Sequence, residues 1–460
     1  MFTKNLVEFI TRTEYEDLPE EVITTAKGAI LDFIGVAMAG SQEESGRIIG
    51  EMVREIESSP EAVVIGHGFR AGCSLAALAN GTAGHVLDYD DCLDFPHVGL
   101  GHPGTGILPA VLAVGEKLEV TGRDVITAYC LGMEAYAKIG LLARDAFRAD
   151  KGWEWTGVLG VMGATAATAR LMRLGEAKTE MSLGTAASLS CGLTRNFGSM
   201  AGHLHAGNAS RNGVEAATLA QKGFISCEDI IETHSGFYNL FTGHPDPVPE
   251  EEMEENIQAL GNPWNIVNPG LMLKAFPCAH ISHFGVDAAL HLRGKHSIDW
   301  RQVEEVEFRI PSLLRRITAY SIPRTGIEAK FSPGHCMCRA LVYGEIKIAD
   351  FRDEKVADPS IMQLMDRIKW VVLDQEAGNL PFGFQEVVIR MKDGRTFSRR
   401  VSHPKGEPQN PLTRQDSAVK YEDCAAHGRY DPETASRIKD LILNLEKVET
   451  ITQLTSTFIR

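Results

Sequence analysis

The sequence predicts a multidomain protein in which an all-α helical bundle is followed by a smaller α+β domain. Apolar residues recur at helical spacing as far as about residue 268, whereas later segments alternate apolar and polar residues as strands do. The 460 residues, 44% hydrophobic and 23% charged, suffice for two or three globular domains. We expect the helical domain over 1–268, the α+β domain over 269–410, and C-terminal helices over 411–460 that pack back on the first domain.

The helices of the first domain are predicted from their spacing and their ends. One segment follows Pro19, which a first helical turn tolerates, and ends at Gly40, a common C-terminal cap. Further helices are expected over 107–119, 124–145 and 157–175. Gly and Ala recur in them three and four residues apart, which lets helices approach closely, so we expect a compact bundle.

The second domain is expected to combine strands and helices. Alternation predicts three strand-forming segments: 303–311, 369–374 and 384–401, the last a hairpin with its turn at Lys392-Asp393-Gly394. A helix is expected over 280–292, and the pattern turns helical again after 411, most clearly over 431–448.

Composition excludes several classes of protein. Lys and Arg number 46 and Asp and Glu 61, a net charge of −15, which disfavours nucleic-acid binding and repels anionic membranes. The nine cysteines are scattered and form no C-x-x-C pair, unlike a disulfide framework or a zinc ribbon. With no signal-peptide pattern and no membrane-spanning apolar run, we expect a cytoplasmic protein without nucleic-acid or membrane partners.

The stretch HVLDYDDC, residues 85–92, is the richest in chemically active side chains. His85, Asp88 and Cys92 share one face of a helix if the helix extends that far. Acidic residues beside histidines indicate a metal site or an acid–base site, although Asp90 and Asp91 can also cap a helix end. One hypothesis is a metal-dependent hydrolase with the ligands His85, Asp88, Asp91 and His97.

His102 stands directly before Pro103 and Gly104 at the start of an apolar segment. The N-terminus of a helix binds carboxylates and phosphates through its unpaired N–H groups. A histidine at that place adds a proton donor or a positive charge.

Lys274 lies in the apolar run LMLKAFP. Three interpretations are open: a base with a lowered pKa, a partner of a substrate carboxylate, or a surface lysine whose stem covers apolar residues. His280 and His283 follow one helical turn apart, without a third zinc ligand at a clear spacing.

His203 and His205 lie in a glycine-bracketed stretch, 202–213. The glycines indicate a loop entering a helix, and on extended backbone the two histidines share a side. The sequence contains no GxGxxG, Walker A or GxSxG motif, so nucleotide-binding and nucleophile-elbow interpretations have no support.

Together these stretches resemble the MmgE/PrpD family. The blocks that carry the resemblance are GTAGHVLDYDDC with HPGTGILPAVLAVGE, HLHAGNASRNGVEAATLAQKGF, KAFPCAHISHFGVDAALHL and EAKFSPGHCMCRALVYGE. They follow one another in the family's order over nearly the whole chain. The resemblance implies an all-α domain plus an α+β lid with the active site between them, usually in a homodimer. It also implies a small carboxylate substrate and no metal or organic cofactor.

The resemblance assigns the family's catalytic aspartate to Asp88, its histidine before Pro-Ser/Gly to His102 and its lid lysine to Lys274. Other positions depart from the family pattern. Cys92 replaces a common threonine, Glu154 a histidine after Trp153, Gly202 a lysine, His335 a lid tyrosine and His280 a frequent arginine. The expected substrate-binding residues are Cys92, Glu154, His203, Arg211, His280 and His335.

The chemistry that the resemblance implies is removal of a proton from the carbon next to a carboxylate, or its return. Because Glu154 and Gly202 replace groups that would hold a tricarboxylate, we expect a smaller, differently charged or nitrogen-bearing acid. We predict a cofactor-independent lyase of the dehydratase type, as in the family's 2-methylcitrate dehydratases. Alternatives are an epimerase of a dicarboxylate such as iminodisuccinate, a decarboxylase of a cis-aconitate-like acid, the metal hydrolase, and a non-catalytic carboxylate-binding protein.

Overall fold

The computed structural model describes residues 1–95, 98–143, 152–311, 320–373 and 383–459. The buried apolar residues of this part of the chain form two large, separate hydrophobic cores. The first joins apolar residues from Phe2 to Phe458 and is built from helices, whereas the second spans Cys278 to Val401 and contains helices and a sheet. The predicted combination of a helical domain with an α+β domain is confirmed, while the boundaries at 268 and 410 stay predictions.

The helices of the first domain surround its core. They are α1 (Phe2–Arg12), α2 (Glu20–Gly40), α3 (Glu44–Glu55), α4 (Cys73–His85), α5 (Pro103–Leu118), α6 (Gly122–Leu142), α7 (Trp155–Leu171), α8 (Glu176–Leu189), α9 (Met200–Gln221), α10 (Phe237–Thr242) and α11 (Glu250–Gln258). The four helices predicted from spacing correspond to α2, α5, α6 and α7. The predicted end at Gly40 is confirmed, and residues 144 and 145 of the segment 124–145 lie outside the described residues.

Small residues bring these helices into close contact, as predicted. A Cβ on Gly207 of α9 would lie 2.2 Å from the carbonyl oxygen of Leu78 in α4. A Cβ on Gly132 of α6 would lie 2.8 Å from the carbonyl oxygen of Gly163 in α7. Both distances are far below van der Waals contact, so these helix pairs tolerate no side chain at the crossing.

Short strands complete the first domain and lead into the second. β1 (Ala62–Val64) pairs with β2 (Phe69–Ala71), and a second small sheet has the order β4-β3-β5, with β3 (Cys92–Phe95), β4 (Val98–Gly99) and β5 (Leu271–Met272). The register of β3 and β5 places Cys92 opposite Met272 and Leu93 opposite Leu271. This pairing brings the chain after residue 272 alongside the chain before residue 92.

The second domain packs helices on a four-stranded sheet. Its elements are α12 (His280–His296), β6 (Val303–Pro311), α13 (Gly326–Lys330), α14 (Pro333–Tyr343), α15 (Asp353–Val356), α16 (Pro359–Met365), β7 (Ile368–Leu373), β8 (Gln385–Met391) and β9 (Thr396–Val401). The strand order is β7-β6-β8-β9, with β6 and β7 parallel and the other pairs antiparallel. The predicted strands and the hairpin turn after Met391 are confirmed, except that residue 374 of the segment 369–374 lies outside the described residues.

The C-terminal helices share the core of the first domain. They are α17 (Arg414–His427), α18 (Pro432–Leu443) and α19 (Thr452–Thr455), and α17 and α18 contact α2. Tyr421, Ile438 and Leu454 are buried in the first core. The polypeptide therefore leaves the helical domain, forms the α+β domain and returns.

Two helices, α2 and α6, are long and apolar enough to cross a membrane by length and composition. Their most apolar windows are 67% and 94% buried inside the protein. Core helices of water-soluble proteins have the same character, so these helices are weak grounds for a membrane protein.

Candidate active site

A cluster of ionisable side chains lies where the first domain meets the chain entering the second. Five residues form it, and we refer to them as the inner cluster: His85, Asp88, Asp90, His102 and Lys274. His85 ends α4, the turn after it carries the two aspartates, and His102 immediately precedes α5. Lys274 follows β5, whose pairing with β3 holds it beside this turn.

Asp88 and Lys274 form a buried ion pair. The Lys274 Nζ donates a short hydrogen bond to Asp88 Oδ1 and a second one, 3.0 Å long, to the Asp88 carbonyl oxygen. Burial alone would raise the pKa of the Asp88 carboxyl, but the positive charge of Lys274, with that of His85, lowers it to about 2. The pair also holds the pKa of Lys274 above its usual value despite burial. Lys274 is therefore a buried ammonium at neutral pH, so two of the three open interpretations, the lowered pKa and the surface position, are wrong.

Asp88 has a conformation that few aspartates adopt. Its φ of 50° lies in the left-handed region, where a side chain is strained and the surroundings must hold it. Asp88 Oδ2 is buried and has no hydrogen-bond partner within the described residues. A buried carboxylate oxygen without a donor is costly unless a ligand or solvent supplies one.

Asp90 holds two histidines together. Its Oδ2 lies 2.8 Å from Nδ1 of His85 and 3.4 Å from Nδ1 of His102. Burial would lower the pKa of His85, but the Asp90 charge and hydrogen bond raise it overall, which favours the imidazolium. The Oδ1 of Asp90 is buried and lacks a partner in the described part of the chain.

His102 is a neutral imidazole with a defined tautomer. Its Nδ1 lies 2.6 Å from the carbonyl oxygen of Asp91, which can only accept, so Nδ1 carries the proton and Nε2 keeps a lone pair. Burial, together with the charges of Lys274 and His85, lowers the pKa of His102, although Asp90 opposes this. A neutral imidazole whose Nε2 keeps its lone pair can accept a proton.

Asp91 is a helix cap, in line with the capping interpretation for one of the two aspartates. Its two carboxylate oxygens accept from the backbone N–H of Gly104 at 3.0 and 3.1 Å, in the first turn of α5. Cys92 lies beside the cluster, with its Sγ 3.6 Å from Nδ1 of His102. Burial raises the pKa of the Cys92 thiol, so the thiol stays protonated.

The predicted shared helix face of His85, Asp88 and Cys92 is wrong. The helix ends at His85, Asp88 lies in a turn and Cys92 begins β3. After His85 the chain leaves the helix through a turn and enters β3, which pairs with β5. The histidine stretch is also corrected: His203 and His205 lie inside α9, so they point in different directions.

The outer positions, defined as Glu154, His203, His280 and His335, make contacts within the protein. The carboxylate of Glu154 caps α7 by accepting from the N–H groups of Thr156 (3.0 Å) and Gly157 (2.7 Å). Burial would raise the pKa of Glu154, but His205, 3.3 Å away, and the helix N-terminus lower it to about 2.

His203 and His280 are held by polar partners on either side of the cluster. His203 Nδ1 lies 2.9 Å from Ser45 Oγ, and burial with the Lys330 charge lowers its pKa to about 3. His280 bridges Asp94 of β3 (3.0 Å) and Glu407 (2.9 Å). Burial would lower the pKa of His280, yet these two carboxylates raise it to about 9.

His335 and Arg211 are farther from this chemistry. His335 is fully buried on α14, with Nε2 3.3 Å from the carbonyl oxygen of Val356. The half-buried Arg211 contacts Asn212 at 3.3 Å and Glu215 at 3.6 Å on its own helix. Substrate contact by these two residues stays a prediction.

Two lysines that the sequence analysis missed also contact this region. Lys330 Nζ donates to the carbonyl oxygen of Val86 at 3.0 Å, and Lys420 Nζ donates to those of Tyr89 (2.7 Å) and Lys274 (2.9 Å). Lys330 lies in the block EAKFSPGHC that supports the family resemblance, which was an available signal. Lys420 lies in a polar helix, and nothing in the local pattern distinguishes it from surface lysines.

A metal site is a different use of the same atoms. Among the described residues, His85, Asp90 and His102 each place one ligand atom within 4.8 Å of the others. This set differs from the predicted ligands, because Asp91 caps α5 and His97 lies outside the described residues. The adjacent Lys274 ammonium would repel a dication, so the set fits an acid–base cluster better.

The fold and the cluster together define a two-domain protein with a buried acid–base site beside the domain junction. The comparison with protein families agrees with the predicted resemblance: the MmgE/PrpD N-terminal domain matches residues 4–250 and the MmgE/PrpD C-terminal domain matches residues 276–447. The chain belongs to the MmgE/PrpD family.

Curated relatives match over most of their length. The cis-aconitate decarboxylase of Mus musculus is 26% identical over 463 residues, covering 97% of this chain and 90% of that protein. That of Homo sapiens is 26% identical over 455 residues, covering 95% and 90%. That of Aspergillus terreus (strain NIH 2624 / FGSC A1156) is 25% identical over 486 residues, covering 98% and 94%.

Proposed function

We propose that the protein is a lyase that removes a proton from the carbon next to a carboxylate of a small carboxylic acid. The observation that carries this proposal is that one buried cluster contains both a neutral His102, whose Nε2 keeps its lone pair, and the Lys274 ammonium. A carbon acid of this type is weak, so removal of its proton needs both a base and a cation beside the developing enolate.

Each residue of the inner cluster then has a role. His102 Nε2 accepts the proton, and the Lys274 ammonium together with the His85 imidazolium stabilises the negative charge on the enolate. Asp88 keeps Lys274 protonated and oriented, and Asp90 does the same for His85. Loss of hydroxide from the neighbouring carbon, assisted by a proton from imidazolium, completes a dehydration and regenerates the neutral base.

The buried carboxylate oxygens favour a substrate with a hydrogen-bond donor. Asp88 Oδ2 and Asp90 Oδ1 accept nothing from the described residues, and a hydroxyl or amine on the substrate would satisfy them. A hydroxy acid supplies that donor and also the leaving group of a dehydratase. Glu154, which stands where the resemblance expects a cation, adds negative charge near the site and is consistent with a less anionic substrate.

Decarboxylation is the second candidate, because the relatives reported above are named cis-aconitate decarboxylases. In that reaction the bond to a carboxylate breaks, CO₂ leaves, and the same cations stabilise the carbanion until imidazolium returns a proton to it. Cis-aconitate carries no hydroxyl or amine. The two candidates therefore differ in the donor group that the substrate needs.

The test uses matched acids in deuterium oxide, followed by proton NMR. The pairs are citrate against tricarballylate and malate against succinate, which differ only in a hydroxyl, together with 2-methylcitrate, cis-aconitate and iminodisuccinate. We expect deuterium uptake or water elimination for a hydroxyl-bearing member and none for its deoxy partner. CO₂ release from cis-aconitate would establish the decarboxylase instead, and exchange with loss of chirality would establish an epimerase.

Two further outcomes would overturn the proposal. Binding of an acid without exchange or conversion would show a non-catalytic carboxylate-binding protein. Stoichiometric zinc or manganese in the purified protein, with activity lost to a chelator, would support the metal hydrolase. The proposed homodimer is tested separately by light scattering coupled to size-exclusion chromatography.

A further inference from the structure

Three buried ammonium groups bind the backbone of the turn that carries Asp88. Lys330 donates to the carbonyl oxygen of Val86 (3.0 Å), Lys274 to that of Asp88 (3.0 Å) and Lys420 to that of Tyr89 (2.7 Å). They come from the end of α13, from the chain after β5 and from α17, which are far apart in the sequence. The left-handed conformation of Asp88 is thus held by groups from three separate segments.

Lys420 alone among these three connects both halves of the candidate ion pair. Its Nζ donates to the carbonyl oxygen of Tyr89, which follows Asp88, and to that of Lys274 itself at 2.9 Å. Its third partner is Asp32 Oδ1 of α2, at 2.7 Å. An ammonium has three N–H donors, so these contacts use all of them and fix the position of the group.

The surroundings of Lys420 confine it further. Only 5% of its side chain is exposed, and its Nζ lies 4.0 Å from the centroid of the Tyr89 ring, a cation–π contact. The Tyr89 hydroxyl in turn donates to the carbonyl oxygen of Ala275 at 3.1 Å. Residues 89 and 274–275 are therefore joined twice, once through the ammonium and once through the ring that lies under it.

We propose that Lys420 is a positioning residue that sets the distance between the Asp88 and Lys274 segments without touching the reacting atoms. If its ammonium is removed, two buried carbonyl oxygens lose their donor, and the two segments separate or admit water. Asp88 then loses part of the support for its left-handed conformation. A displacement of about 1 Å in a catalytic group can lower the rate about 100-fold.

Lys420→Met alone leaves the Asp32 carboxylate buried without its cation and can prevent folding. The main variant is therefore Lys420→Met/Asp32→Asn, which removes both charges. Lys439→Met is the matched control, because Lys439 of the neighbouring α18 pairs with Glu422 of α17 at 2.8 Å and, within the described part of the chain, donates to none of the residues of the inner cluster. Lys420→Arg keeps a buried cation with several donors.

The kinetic experiment rests on the proposed function and measures exchange or turnover of whichever acid the wild type accepts. We expect kcat to fall about 100-fold in the double variant with KM changed less than threefold, at least a tenfold recovery in Lys420→Arg, and no change in Lys439→Met. Adding the double variant to Lys274→Met should cause no further loss, because Lys420 acts through Lys274. An unchanged kcat, or losses that multiply with Lys274→Met, would overturn the proposal.

A measurement without substrate separates the two proposals. Hydrogen–deuterium exchange of the full-length double variant should accelerate at least tenfold in peptides covering 86–92 and 271–276, while peptides of β6 and β8 stay unchanged. If no acid is turned over by the wild type, the proposed function fails while this result still decides the role of Lys420. Equal protection in the two peptides, or faster exchange throughout the molecule, would show that Lys420 does not position them.

Discussion

The inner cluster and two of the outer positions, Glu154 and His280, use their hydrogen-bonding capacity differently. Asp88 and Asp90 each keep a buried carboxylate oxygen without a partner in the described residues, and His102 holds its proton on Nδ1, away from Nε2. Both carboxylate oxygens of Glu154 instead accept hydrogen bonds from backbone N–H groups at the N-terminus of α7. Both ring nitrogens of His280 lie beside carboxylates.

This difference distinguishes residues that can contact a substrate from residues that stabilise the structure around the site. A polar group that makes all of its hydrogen bonds inside the protein has none left for a substrate. A buried polar atom without a hydrogen-bond partner, in contrast, carries a free-energy penalty that a bound molecule can relieve. The contacts of Glu154 and His280 are of the first kind, so we predict that these two residues act on the structure around the site.

The largest effect is expected when the cation of the inner cluster is removed. Lys274→Met should lower turnover at least 1,000-fold, because the proposed enolate loses the stabilising charge of the ammonium. The variant should also lose about 3–5 kcal/mol of unfolding free energy, since Asp88 stays buried without its partner. Kinetics and denaturant unfolding measure the two losses. Asp88→Asn added to Lys274→Met should restore stability but not turnover, and recovery of turnover would refute the role of the ammonium.

Removal of the proposed base should have the next largest effect. His102→Asn keeps a donor near the Asp91 carbonyl but supplies no basic nitrogen, so exchange should fall about 100- to 10,000-fold. The loss of unfolding free energy should be smaller than in Lys274→Met, because no buried charge is left without its partner. Deuterium exchange of the substrate checks the rate. A rate within tenfold of wild type would assign the base to another residue.

The outer contact at His280 should control stability and its pH dependence. The unfolded histidine titrates near pH 6.5 and the folded one at about 9, so between these values only the folded chain keeps the proton. Stability is therefore complete below about pH 6.5 and falls as pH rises to about 9, by about 3 kcal/mol. Urea unfolding across this range measures the loss.

His280→Arg should remove this pH dependence, because arginine stays charged, and should leave the inner cluster active. The exposed His234→Gln is the control and should keep the wild-type profile. The same fall of stability in His280→Arg and in the wild type would show that other groups cause it.

The smallest effect is expected at Glu154. Glu154→Ala removes the cap of α7 and should lower the unfolding free energy by about 0.5–2 kcal/mol. KM should change less than threefold if Glu154 acts as a cap, and Glu154→Gln should retain most of the stability. A tenfold change in KM with unchanged stability would instead show that Glu154 contacts the substrate. The inner cluster and the outer positions would then not differ in the way described above.

The sequence predicted the architecture well because the two domains differ in apolar periodicity, and that periodicity reflects burial directly. It also indicated Asp88, His102 and Lys274 as candidates, through the blocks that carry the family resemblance. It predicted the surroundings of Lys274 less well. An apolar run suggests a lowered pKa, and only the contact with Asp88, 186 residues earlier, reverses that direction.

Local pattern failed where long-range pairing decides the backbone. The spacing of His85, Asp88 and Cys92 fits a helix, but the β3–β5 pair ends the helix after His85 and turns Asp88 into the left-handed region. The glycines around His203 suggested a loop, although the chain is helical there, and Gly207 allows the close approach of α9 to α4 while Gly213 allows that of α9 to α7.

By itself, the amino-acid sequence determined which segments are helical or extended, which residues are apolar enough to form each core, and which residue types are present for acid–base chemistry. The tertiary structure alone decided which of those residues are in contact, which carboxylate oxygens have hydrogen-bond partners and which ring nitrogen of each histidine is protonated. The physical reason is that propensity and burial pattern act over a few residues, whereas charge, desolvation and hydrogen bonding in a buried site depend on partners brought together by the fold, such as Lys420 and Tyr89, 331 residues apart.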